Sequence, residues 1–160
     1  MLKTISILFF SIIINTIVYS QSVDKQTFYN AFSGESLEKI DAVLTSLEKA
    51  KSSDINNVYL AGLKMKKASL INSPIKKLNI FKEGKNLLET EISKYPINTE
   101  FRFIRLAIQE KAPDFLGYNT NLQEDKKIIV KNYSTIDNVL RKYILEYSKK
   151  SEILKTTDLK

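Results

Sequence analysis

PIKKLNIFKEGKNLLETEISKYPINTEFRFIRLAIQEK, residues 74–111, decides how this chain folds. Pro74 suits the first turn of a helix, where its missing N–H would find no partner anyway. Leu78, Phe81, Leu88, Ile92 and Tyr95 then return at helical spacing and predict one apolar face. Gly84 marks a point where a second backbone can come close. Pro96 ends the helix, because the residue before a proline is pushed out of the helical region. Asn98 or Thr99 caps the next helix, which runs to about Lys111. A connection this short predicts an antiparallel hairpin.

The same punctuation repeats outward. Asp24 can cap a short helix with Phe28 and Phe32 one turn apart, and Gly34 is placed for a left-handed stop. Ser36 to about Lys51 carries Leu37, Ile40, Leu44 and Leu47 on one stripe. Ser53-Asp54 opens a helix to about Ile71, with Val58, Tyr59, Gly62, Leu63 and Met65. Beyond Lys111, Pro113-Asp114 and Gly117-Tyr118-Asn119 have turn chemistry. A helix over about Leu122–Asn132 follows. A last one, capped by Ser134, runs to about Lys149, with Ile136, Val139, Leu140, Tyr143, Ile144 and Tyr147 on its buried side. The expected pairs are 36–51 with 54–71, 74–95 with 98–111, and 122–132 with 135–149. The expectation is an all-α fold of antiparallel helical hairpins, forming a compact bundle or a short α-solenoid over residues 21–150. From Ser151 to Lys160 a polar, Lys-rich tail should fray.

Composition removes chemistries. Four Gly and three Pro in 160 residues are too few for a turn-rich β sandwich or barrel. The chain has no His, so no imidazole base and no Ser–His or Cys–His nucleophile. With no Cys either, ordinary zinc, haem and iron–sulfur sites fall away, and no disulfide can form. No Gly-rich phosphate loop or EF-hand spacing occurs. Glu89 and Glu91 face different sides of one helix, and Glu124-Asp125, followed by two Lys, reads as helix-surface patterning. The expectation is a protein without cofactor or metal, and not an enzyme.

Met1 to Ser20 reads as a secretory signal peptide, with Lys3 as its positive start, a mostly apolar run from Ile5 to Val18, and Ser20 before a cleavage point at Gln21. No Cys follows it to carry a lipid, and no second stretch approaches the length of a membrane span. The expected destination is periplasmic or extracellular. The formal charge of +7, reduced by loss of Lys3, fits weak attraction to anionic surfaces. The Lys are spread along the chain and mixed with acids. An exported destination argues against nucleic acid and for a protein or an anionic cell-envelope component as partner.

One segment carries a candidate site. Of 25 basic residues only three are Arg, and two of them, Arg102 and Arg105, lie one helical turn apart with Gln109 four residues further on. Arg in so Lys-rich a chain points to its planar fork, which grips carboxylate or phosphate with two hydrogen bonds. The row reads in two ways: as an anion or partner site bordered by Phe115 and Tyr118, or as interhelical salt bridges to Glu89 or Glu91. The loop also reads in two ways. Phe115, Leu116 and Tyr118 either tuck back as an apolar plug or stand out as an aromatic patch.

Gly84, Leu88 and Tyr95-Pro96 resemble the second-helix half of a tetratricopeptide repeat: a small residue, a bulky one a turn later, then a terminal proline. The likeness covers about a dozen residues, and the first-helix half does not match. It implies a helical scaffold that binds peptides or proteins. The Ile/Phe-rich start ending before Gln21, the Lys/Asn/Ile bias and the segment Tyr95 to Tyr118 make the chain similar to small uncharacterised exported proteins of Bacteroidetes. That resemblance implies a location and no chemistry. The functional expectation is an exported, non-catalytic scaffold or interaction module; the alternative is a binder of a small anion, or an enzyme with carboxylates the sequence does not locate.

Overall fold

The computed structural model describes residues 23–159; the signal-like segment Met1 to Ser20 lies outside them. The fold is all-α. Among the described residues there are seven α-helices and no strand: α1 Lys25–Ser33, α2 Leu37–Lys49, α3 Asp54–Leu70, α4 Pro74–Lys94, α5 Thr99–Gln109, α6 Leu122–Asn132 and α7 Asn138–Ser148. Single 3-10 turns lie at Asp114–Leu116 and Thr156–Asp158.

The helix starts follow local chemistry. Asp24, Ser36, Ser53 and Asn98 each accept a hydrogen bond from a free first-turn amide, and Pro74 occupies the first position of α4. Two expectations are corrected. The last helix is capped by Asp137, not Ser134: the Asp137 carboxylate takes the Leu140 amide at 3.0 Å and also pairs with Lys25 of α1 at 2.6 Å, so cap and tertiary contact select the same residue. Gly34 is extended, with φ −83°, rather than left-handed; a Cβ there would come within 3.0 Å of the Asn30 carbonyl.

Of the expected hairpins, α2 packs on α3 and α4 touches α5, but the largest contacts lie elsewhere. The most extensive contact is α3 with α4, because Gly84 lets them close: a Cβ at Gly84 would lie 2.7 Å from the Ala61 carbonyl oxygen and 2.8 Å from Met65 Cγ. The next is α5 with α6. The expected partners α6 and α7 are not closely packed; α7 instead docks on α1 and α5, stacking Tyr143 on Tyr29 and setting Tyr147 edge-on to Phe103. Spacing tells a helix which face to bury but not against what. Side-chain size and charge at the contact decide that.

Helix α5 is the hub. It touches α3, α4, α6 and α7, and each of its residues is buried, the polar ones included. Around it Phe28 stacks on Tyr59 with centroids 3.9 Å apart, and Leu63, Leu88, Ile129 and Ile144 complete the core. The opposite holds at the start of α4. There Leu78, expected on the buried face, is exposed, as is Tyr95 at the other end.

The segment from Ser151 does not fray. Ser151 Oγ donates to Glu110 at 2.6 Å, the Glu152 amide to the same carboxylate at 2.5 Å, and Leu154 is fully buried in the core. Lys126 holds the final 3-10 turn through Asp158 at 2.7 Å. The two apolar residues Ile153 and Leu154 are what the Lys-rich composition of this tail hides.

Candidate functional site

Arg102, Arg105 and Gln109 are brought together on one face of α5, as their spacing requires, but this face is inside the protein. Arg102 and Arg105 are only 5% and 3% exposed. Both converge on Asp125, in the first turn of α6 and fully buried. Arg105 grips it with two hydrogen bonds, Nε to Oδ2 at 2.8 Å and a terminal nitrogen to Oδ1 at 2.7 Å. Its other terminal nitrogen reaches Glu89 of α4 at 2.8 Å. Arg102 donates to Asp125 Oδ1 at 2.9 Å and to the Pro96 carbonyl at 2.7 Å, and meets Glu124 at the rim at 3.0 Å. Burial works against the Arg105 charge, but Asp125 and Glu89 outweigh it and push its pKa above the ordinary arginine value. Gln109 completes the row by exchanging two hydrogen bonds with Asn121, at 3.2 and 3.1 Å.

The row is therefore an ion-paired clasp tying α4, α5 and α6, the salt-bridge arrangement to Glu89 that the sequence allows. Asp125 corrects the surface reading of Glu124-Asp125: only Glu124 is exposed. Its neighbours Glu124, Lys126 and Lys127 disguise it in sequence. The available signal was the two Arg, which need more carboxylate than Glu89 supplies if they are buried.

The loop after α5 divides its aromatics. Tyr118 is buried, donates to Glu89 at 2.5 Å and sits edge-on to Phe81 at 5.7 Å, with Lys85 over its ring. Burial and the Glu89 carboxylate push its hydroxyl pKa up. Phe115 is 85% exposed. Gly117, at φ +56°, turns the chain between them, a conformation L-residues rarely adopt. Neither expectation for the loop holds whole: Tyr118 is the plug and Phe115 stands out. Beside it lies a shallow open hollow of about 270 Å³ bordered by Gln109, Lys111, Asp114, Asn119 and Ile153.

A second polar cluster went unread in the sequence. Glu100, also on α5, accepts from Tyr59 at 2.8 Å and pairs with Lys25 at 2.7 Å, which also meets Asp137. Glu91 is buried on α4 and takes the Asn57 amide at 2.8 Å. These carboxylates, like those of the clasp, are bonded to donors of the chain itself. Among the described residues no group of acids could hold a metal ion, and no helix is long and apolar enough to cross a membrane. Comparison with known proteins finds no matching family model, no similar curated protein and no similar solved structure.

Proposed function

We propose that this chain is an exported, non-catalytic helical scaffold or interaction module, and that it meets a protein or cell-envelope partner through the loop that carries Phe115. The observation behind the proposal is that a large aromatic side chain stands almost fully in solvent on a braced loop. Gly117 and the Tyr118–Glu89 hydrogen bond fix the loop from below. A rigid aromatic gives up little entropy when covered, which is the character of an interface anchor. The signal-like start supports export, and the partial likeness of α4 to a tetratricopeptide helix supports a binding scaffold. Capture of a small anion by Arg102 and Arg105 draws no support from guanidinium groups already held by Asp125 and Glu89.

A photo-crosslinking residue at position 115, in the cell that makes the protein, tests the reading. It should yield one discrete adduct that a probe at exposed Lys142 does not. Equal or absent labelling at the two positions defeats the proposal. Phe115→Ser should change stability by no more than about 0.5 kcal/mol, because the side chain packs on little. Export is tested on the same sample by the mass of the N-terminal peptide, expected to begin at Gln21.

A further inference from the structure

The turn joining α3 to α4 projects from the bundle. Every residue from Asn72 to Asn79 is exposed, although those from Pro74 onward are already helical. Two are large and apolar: Ile75 is 75% exposed, and Leu78, one turn on, is also in solvent. The charge around them has one sign. Between Asp54 and Glu83 the sequence holds six Lys and not one acid. Lys64 and Lys67 are paired to Glu83 and Asp41 from outside that stretch. Lys66, Lys76, Lys77 and Lys82 form no ion pair among the described residues. This concentrates, at one end of the molecule, a basic excess that elsewhere is balanced by acids.

We propose that this tip docks on the surface of a bilayer containing anionic phospholipid, with Ile75 and Leu78 entering the headgroup–acyl boundary and Lys66, Lys76, Lys77 and Lys82 meeting lipid phosphates. The shape and residue types favour lipid over other acidic partners. The tip is exposed throughout residues 72–79, whereas a protein interface draws on aromatics and Arg and is depleted in Lys. A nucleic acid would use the Lys but has no place for Ile75 and Leu78. An interfacial helix needs both an apolar face and flexible cations whose stems can snorkel along it. Each Lys near an anionic leaflet strengthens binding roughly fivefold. This tip and the Phe115 loop rest on different residues, so either can stand without the other.

The chain has no Trp, so a single introduced one reports locally. Ile75→Trp and, separately, Phe115→Trp are made in the full chain recovered after export. Each is mixed with vesicles of phosphatidylcholine alone, or of phosphatidylcholine with about a third phosphatidylglycerol, in both cases carrying brominated acyl chains. With phosphatidylglycerol, the indole of Ile75→Trp should shift to the blue and be quenched, while that of Phe115→Trp is not. Adding Lys76→Glu and Lys77→Glu to the Ile75→Trp chain should weaken vesicle binding at least tenfold. Leu78→Ser in the same background should weaken it severalfold, with unchanged melting. The proposal is overturned if the indole of Ile75→Trp stays unquenched at low salt, if phosphatidylcholine alone quenches it equally, or if the lysine pair makes no difference. It is also overturned if heparin or DNA binds as tightly as vesicles and Leu78→Ser affects neither.

Discussion

Asp125 is the carboxylate on which both buried arginines of α5 converge. Three of the hydrogen bonds to its two oxygens come from buried guanidinium groups on α5. Removing it leaves two cations in the interior with Glu89 alone among the buried or half-buried acids. Asp125→Ala should therefore lower unfolding stability by about 3–5 kcal/mol, the usual cost of stranding a buried charge. Arg105→Ala should fall in the same range, and the double variant should lose less than the two singles added together, since the partners fail as a unit. Urea unfolding of the three variants checks both statements; additive losses would mean that the clasp is not coupled. Breaking one partner of a buried pair is costly even where a well-packed apolar replacement of the whole set would not be. In the sequence the two Arg were conspicuous because they stand among Lys. Asp125 was not, because three charged neighbours make it look like any solvated face.

At the scale of helices, Gly84 governs the α3–α4 contact. A glycine-to-alanine change inside a helix ordinarily stabilises by about 1 kcal/mol. Here the new Cβ would meet backbone at Ala61 and side chain at Met65 closer than real Cβ atoms come. Gly84→Ala should reverse the sign and destabilise by about 1–3 kcal/mol. A thermal midpoint at or above wild type would show that α3 and α4 separate easily. Element existence was legible in the sequence, because caps, prolines and three-to-four spacing act locally. Partner choice was not. Leu78 and Phe81 share the apolar pattern of α4, yet only Phe81 is covered, since α4 overhangs its neighbours at the start. Gln109 and Asn121 likewise pair across a loop whose path no local spacing dictates. The buried polar face of α5 was the largest departure: an amphipathic pattern normally turns its polar side to water, and here that side meets α4 and α6 through ion pairs.

Over the whole molecule the C-terminal segment closes the bundle, and Glu110 holds the latch. Burial raises its pKa, but the Ser151 and Tyr147 hydroxyls and the Glu152 and Ile153 amides outweigh that and bring it below the ordinary glutamate value. Asp158 is also lowered, chiefly by its hydrogen bond to Lys126. Carboxyls depressed in the folded state stabilise it fully above their unfolded values of about 4, and that contribution is lost as pH falls through the folded ones. The protection factor of the Leu154 amide should therefore fall as pH drops below about 4, while Ile104 stays protected. Glu110→Gln should weaken the latch at neutral pH and flatten that acid dependence. The structure thus has a closed, ion-paired interior, and Phe115 and the α3–α4 tip are among the apolar groups its exterior exposes. Arg102 and Arg105 hold helices together, and the proposed partner contact lies elsewhere. The most direct test is unfolding of wild type, Arg102→Ala and Arg105→Ala, each with and without millimolar phosphate, citrate and anionic sugars. Both variants should unfold far more easily, and no anion should raise the wild-type midpoint beyond a general salt effect. An anion that stabilises wild type, with variants of near-normal stability that no longer respond to it, would overturn the structural role and return the row to that of a binding site.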